Sequence, residues 1–75
     1  MNLSELRSGQ YAIIDKMESI DSALQLRLTS VGLLPGCKLC MKQSSLLNGP
    51  CILECRGQNI CIRKAEAKKI EVIQL

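Results

Sequence analysis

Cysteine is the residue type with the most chemistry to offer in this chain, which has five cysteines and no histidine. Cys37 and Cys40 form a Cys-x-x-Cys pair, a spacing found in zinc sites and in redox motifs. A zinc site needs both thiolates about 2.3 Å from one ion. This pair lies in a predicted strand that follows a helix, where an odd spacing directs the two side chains to opposite faces. The pair therefore predicts neither a zinc knuckle nor a thioredoxin-type redox site.

The other cysteines lie on two further predicted strands. Cys51 and Cys55 share a strand face, but they are about 13 Å apart at about 3.3 Å per residue, too far to hold one ion. We interpret both as core residues, because reduced cysteine packs as a small hydrophobe. Cys40 and Cys61 are predicted on outward faces. Together with Cys37 they give the alternative hypothesis, a small metal-binding or metal-sensing protein that uses soft thiolate ligands.

The residues needed for other kinds of catalysis are missing. The sequence has no histidine to act as a general base, no glycine-rich phosphate loop and no serine with plausible triad partners. A small acidic cluster, Asp15, Glu18 and Asp21, is interpreted as a solvated loop that caps a helix rather than as a metal site. We therefore predict no catalytic, cofactor-binding or metal-binding residues. The chain is expected to bind a partner and not to be an enzyme.

Composition sets further bounds. The 75 residues predict one domain, 1–75, and a hydrophobic share of 47% argues against disorder. A net charge of +3 and a single tyrosine make a poor nucleic-acid surface, so no nucleic-acid partner is predicted. No apolar run approaches the roughly 20 residues of a membrane span, and the first residues do not resemble a signal peptide. A cytoplasmic protein with reduced thiols and no membrane insertion is expected.

One segment has helical periodicity. In "DSALQLRLTSVGLLPG" the apolar residues recur at helical spacing, and Ser22-x-x-Gln25 has the form of a capping box, with Asp21 as a competing N-cap. Gly32 fits the position just past the helix end. Short alternating segments before and after this helix predict strands, and a tight hairpin turn is predicted at Gly57-Gln58. The pattern predicts a mainly β fold, a small barrel with one inserted helix.

Some large apolar residues have no obvious place in this core. In the first strand, either Ala12 and Ile14 or their neighbours face inward, because successive side chains alternate. If Ala12 and Ile14 are buried, their neighbours point outward, and paired leucines also fall in two predicted loops. Exposed apolar patches often mark interaction sites. The predicted partner-binding residues are Tyr11, Ile13, Leu34, Leu46 and Leu47.

Two separated motifs resemble the FeoA family. They are "RLTSVGLLPG", from Arg27 to Gly36, and "RGQNICIRKAEA", from Arg56 to Ala67, within a resemblance that covers nearly the whole chain. The resemblance implies an SH3-like β-barrel and an accessory role in bacterial ferrous iron uptake. The implied partner is the cytosolic GTP-binding domain of the FeoB transporter, and a second copy of the chain is the other candidate partner. No catalytic or metal-binding residue is implied.

Overall fold

In the part of the chain that the structure describes, five antiparallel strands and one main helix form the fold, which confirms the predicted mainly β class. The computed structural model describes residues 1–17, 20–44 and 49–75. The strand order is β4-β3-β2-β1-β5, so β4 and β5 are the edges. A 3-10 turn, Leu3–Glu5, precedes the following elements: β1 Tyr11–Lys16, α1 Ser22–Ser30, β2 Lys38–Gln43, β3 Cys51–Cys55, β4 Gln58–Ile62, α2 Lys64–Ala67 and β5 Glu71–Gln74.

Helix α1 is preceded by an aspartate N-cap, and a glycine follows its C-cap residue, Val31. The Asp21 carboxylate accepts a hydrogen bond from the Leu24 backbone N–H at 2.7 Å, so Asp21 is the N-cap and the predicted Ser22 capping box is wrong. A carboxylate satisfies the free amide and also favours the positive end of the helix dipole. At the other end Gly32 has φ +84°, and the Leu33 N–H donates to the Leu28 carbonyl at 2.9 Å. This bond is the signature of a Schellman motif.

The core is aliphatic and sulfur-based. Alternation on β1 buries Ala12 and Ile14, which settles the open parity of that strand. Leu33 is buried directly after the Schellman turn. In the described part of the helix and the sheet, the larger side chains that are fully buried are Ile14, Leu28, Leu39, Met41, Leu53 and Ile62, together with Cys51 and Cys55.

The β3–β4 hairpin turns one residue earlier than predicted. Arg56 and Gly57 both have positive φ, 55° and 80°, while Gln58 is already paired with Cys55 in β4. Two central residues with positive φ make a type I′ turn, whose twist suits a two-residue hairpin. The prediction placed the turn at Gly57-Gln58 because glycine is the strong signal, whereas arginine seldom adopts a left-handed conformation.

The Arg56 side chain connects this hairpin to the end of α1. A Cβ atom built on Gly32 would lie 3.7 Å from both Cδ and one guanidinium nitrogen of Arg56. The cation thus lies over the last turn of the helix, where free carbonyl groups favour positive charge. Within the described residues, no helix is long and apolar enough to span a membrane.

Candidate partner-binding surfaces

The two cysteines predicted as core residues are buried, as expected. The Cys51 thiol donates to the Ile62 carbonyl oxygen at 3.3 Å, and burial raises the pKa of Cys51. Burial and a hydrogen bond with the neighbouring Cys37 thiol raise the pKa of Cys55 to about 11. Both thiols are therefore protonated at neutral pH, and a protonated, buried thiol is a poor nucleophile and a poor metal ligand.

The prediction that Cys40 lies on an exposed face is wrong. Its side chain is only 7% exposed, although it is not part of the main core cluster on the inner face. The reason is its place on β2, which is flanked on both sides. Tyr11 lies opposite Cys40 on β1 and Glu54 lies opposite it on β3, so cross-strand neighbours cover the small thiol. Cys61, on the edge strand β4, is exposed as predicted.

The structure does not bring together the three cysteines of the metal-binding alternative. Cys37 contacts Cys55, whereas the side chain of Cys40, three residues later, points to the opposite face of the sheet. Cys61 pairs with Ile52 at the far side of the sheet. Among residues 1–17, 20–44 and 49–75, no three cysteine or carboxylate side chains form a group that could hold a metal ion. The hypothesis of a thiolate site built from Cys37, Cys40 and Cys61 is therefore wrong for this arrangement.

An apolar strip covers the outer face of β1 and β5. Tyr11 and Ile13 point outward from β1, Ile73 lies directly opposite Ile13, and the Leu75 N–H donates to the Tyr11 carbonyl at 2.9 Å. The side chains of Tyr11, Ile73 and Leu75 are 49%, 55% and 60% exposed, and Ile13 is half-buried. We call these four residues the outer strip. Lys38 lies with its Nζ 5.2 Å from the centre of the Tyr11 ring, within the distance of a cation–π contact.

The predicted docking residues do not all join this strip. Tyr11 and Ile13 are neighbours within it, whereas Leu34 is exposed on the loop after α1. Leu34 lines a small hollow of about 210 Å³ that shares no residue with the outer strip. The predictions for Leu46 and Leu47 lie outside the described residues.

Sequence reasoning missed two members of the outer strip, Ile73 and Leu75. The signal was present: Val72 is buried, so alternation along β5 directs the residues on either side of it outward. The pairing of Ile73 with Ile13 could not be predicted, because it depends on β1 and β5 becoming neighbours in the sheet.

A second surface was also missed. A groove of about 830 Å³ runs between α1, α2 and the ends of β3 and β4. Five cationic residues and one carboxylate line it: Arg27, Arg63, Lys64, Lys68, Lys69 and Glu66. We call it the basic groove. The sequence shows two of its dipeptides, Arg63-Lys64 and Lys68-Lys69, but only the fold adds Arg27, whose guanidinium is 3.2 Å from the Glu66 carboxylate.

Comparisons with known proteins agree with this fold. A solution structure of FeoA from Chlorobium tepidum superposes with a TM-score of 0.91 at 33% identity, covering 100% of this chain and 70% of that one. A zinc complex of Stenotrophomonas maltophilia FeoA, described as a prokaryotic SH3 domain protein, superposes with a TM-score of 0.83 at 24% identity, covering 97% and 89%. The fold is thus SH3-like, as the resemblance implied.

Sequence comparison assigns the family. A Campylobacter jejuni protein named as a candidate Fe(2+) transport protein A is 38% identical over 72 residues, 96% of each chain. The family model of the FeoA domain matches residues 1–74. This family is one of transport accessory proteins and is not a known enzyme family. The chain therefore belongs to the FeoA family of ferrous iron transport accessory proteins.

Proposed function

We propose that this chain binds the cytosolic GTP-binding domain of FeoB and regulates ferrous iron uptake through that contact. The observation that carries the proposal is the outer strip, an exposed apolar surface on a member of an iron-transport accessory family. Such a module acts by contact alone, since it needs no catalytic group. The proposal places the chain on the cytoplasmic side, where that GTP-binding domain lies.

The composition of the outer strip suits protein recognition. Tyr11 offers a large ring with a polar tip, and aromatic anchors of this kind are enriched among the residues that dominate binding energy. The Lys38 Nζ lies 5.2 Å from the centre of the Tyr11 ring, a weak attraction that reduces the side-chain freedom to be lost on binding. Ile13 and Ile73, paired across two strands, give a flat aliphatic area beside the ring.

The position of the strip on the sheet also favours docking. Its β5 half belongs to an edge strand, so a partner strand or loop can approach from the side as well as from above. Part of that edge is already used, since the Val72 N–H donates to the Met1 carbonyl at 2.8 Å. The partner contact is therefore expected to be mainly through side chains at Tyr11, Ile73 and Leu75.

The test is a paired substitution, Tyr11→Ser with Ile73→Ser, in the full chain. Both side chains are exposed, so the fold should be kept, as circular dichroism would check. Binding to the FeoB cytosolic domain, measured by calorimetry, should weaken about fivefold or more, because removing an aromatic anchor and its neighbour should cost over about 1 kcal/mol. Adding the variant chain should no longer change the rate of GTP hydrolysis by that domain.

Leu26→Ser is the matched control, because Leu26 is also a large exposed apolar residue but lies on α1, outside the outer strip. It should leave the affinity unchanged. Equal affinity for FeoB in the strip variant and the control would contradict the proposal. Sedimentation of the same variants tests the second candidate partner, another copy of the chain. If the chain forms a dimer that is lost in the strip variant but not in the control, the outer strip is the dimer interface.

The remaining predicted docking residues are tested separately. Leu34→Ser probes the hollow beside α1, and Leu46→Ser with Leu47→Ser probes the paired leucines that lie between β2 and β3 in the sequence. If either variant keeps its fold and loses FeoB binding, the docking surface extends beyond the outer strip. If both bind normally, the surface is confined to β1 and β5.

A further inference from the structure

Positive charge is concentrated on one side of this protein. The whole chain carries a net charge of +3, from ten cationic and seven acidic residues. The basic groove alone holds five cationic residues and one carboxylate, a formal charge of +4. The rest of the sequence, with five cations and six carboxylates, is therefore slightly negative. The mild overall charge is thus unevenly distributed, because half of the cationic residues line this one concave surface.

The single carboxylate of the groove is already occupied within the protein. Glu66 Oε1 accepts from the Arg27 guanidinium at 3.2 Å and from the Arg63 backbone N–H at 3.1 Å. Its negative charge is therefore used to hold α2 against α1. In the part of the chain that the structure describes, no carboxylate forms an ion pair with the side chains of Arg63, Lys68 or Lys69. These three exposed cations are available to a ligand.

We propose that the basic groove binds an extended acidic segment of a partner protein, whose carboxylates pair with Arg63, Lys68 and Lys69. Charge complementarity is the first argument, since a cleft lined by one sign of charge attracts and orients the opposite sign. The groove shares no residue with the outer strip, so it is a second surface and does not depend on FeoB binding there.

The form of the groove favours a peptide over a compact anion. One wall includes Cys61 of β4, and β4 is an edge of the sheet that pairs only with β3. An edge strand offers unpaired backbone groups, to which an extended segment can add as a further strand. A segment lying along β4 would carry its side chains past Cys61 and toward Arg63 and the lysines beyond it.

Nucleic acid is a poorer match for the same charges. Single-stranded nucleic acid is held by a basic groove together with aromatic side chains on which the bases stack. No lining residue of the basic groove is aromatic, and the only tyrosine of the chain, Tyr11, belongs to the outer strip. The groove supplies charge without a stacking platform.

The experiment uses the full chain and a fluorescent peptide of alternating Glu and Thr, with the same peptide carrying Gln for Glu as its neutral counterpart. Lys68→Gln with Lys69→Gln should weaken binding of the acidic peptide about five- to tenfold, the sum expected for two exposed ion pairs. Arg7→Gln with Lys16→Gln is the matched control, because it removes the same charge from exposed residues outside the groove. This control should change the affinity less than about twofold.

Nuclear magnetic resonance then locates the peptide. Amide shifts should change at Cys61, Arg63 and Lys68 and stay constant at Tyr11 and Ile73. An equal loss of affinity in both charge variants would show a general charge effect and overturn the proposal. So would equal binding of the neutral peptide, shifts centred on the outer strip, or tighter binding of tripolyphosphate or of a single-stranded oligonucleotide than of the acidic peptide.

Discussion

Substitution of Gly32 by alanine should show how much the stability of the protein depends on the backbone conformation just past the end of α1. Its φ of +84° lies in the left-handed region, where an L-residue with a Cβ atom is disfavoured by about 1–2 kcal/mol. The added Cβ of Gly32→Ala would lie 3.7 Å from the Arg56 side chain, an ordinary van der Waals contact. The cost should therefore come from the backbone alone and not from a clash.

The chain contains a suitable control for this interpretation. Gly9 has nearly the same φ, +89°, and a Cβ there would meet nothing within 4 Å. Gly9→Ala and Gly32→Ala should both lose about 1–2 kcal/mol of unfolding free energy. For a domain of this size that is a large share of the total stability, and each kilocalorie should lower the melting temperature by about 4–8 °C.

Denaturant and thermal unfolding, followed by circular dichroism, would measure these losses. Gly32→Asn should be less harmful than Gly32→Ala, because asparagine tolerates the left-handed conformation better. A loss below about 0.5 kcal/mol for Gly32→Ala would show that the turn relaxes at little cost, contrary to our reasoning. A loss much larger than that of Gly9→Ala would mean that Arg56 has to move, which the 3.7 Å separation argues against.

Three further predictions concern the core and the thiols. Leu28→Ala should cost about 2–5 kcal/mol in denaturant unfolding, since Leu28 is fully buried, and a loss below about 0.5 kcal/mol would contradict its central position. Cys61 should react first with a thiol reagent at pH 8 and Cys40 slowly, as peptide mass mapping would show; equal rates would contradict the burial of Cys40. The free energy of unfolding should be constant up to about pH 9 and fall between pH 9 and 11. Folding raises the pKa of Cys55 from 9.0 to about 11, so the unfolded chain loses the Cys55 proton at a lower pH than the folded protein does. Cys55→Ala should flatten this part of the pH profile, and an unchanged slope would refute the assignment.

Local periodicity was enough to predict the elements of this fold. The period-2 pattern identified the strands, and the glycine after the helix identified where α1 ends, because both signals depend only on residues close in sequence. The burial of Cys51 and Cys55 followed from the same alternation. At Asp21 the local signal was ambiguous, since an aspartate and the serine after it are both good caps and only the geometry selects one.

Features that depend on distant parts of the chain were not predictable in this way. Alternation gave the outward direction of Cys40 but could not show that Tyr11 and Glu54 would cover it from two neighbouring strands. The basic groove likewise requires Arg27 to meet Glu66, a partner 39 residues away. Such contacts form only when the elements pack together, so they cannot be predicted from any one segment of the sequence.

The pairing of β1 with β5 has a consequence for how this chain folds. All other neighbouring strands in the sheet are closer in sequence, whereas Ile13 pairs with Ile73 near the opposite end of the chain. This pairing joins the neighbouring strands that lie farthest apart in sequence and raises the contact order, so it should be the slow step of folding. During synthesis, the edge of β1 that will pair with β5 has no partner strand until β5 has been made. In that interval the open edge of β1 is the segment most exposed to pairing with another chain, and the arrival of β5 ends that risk.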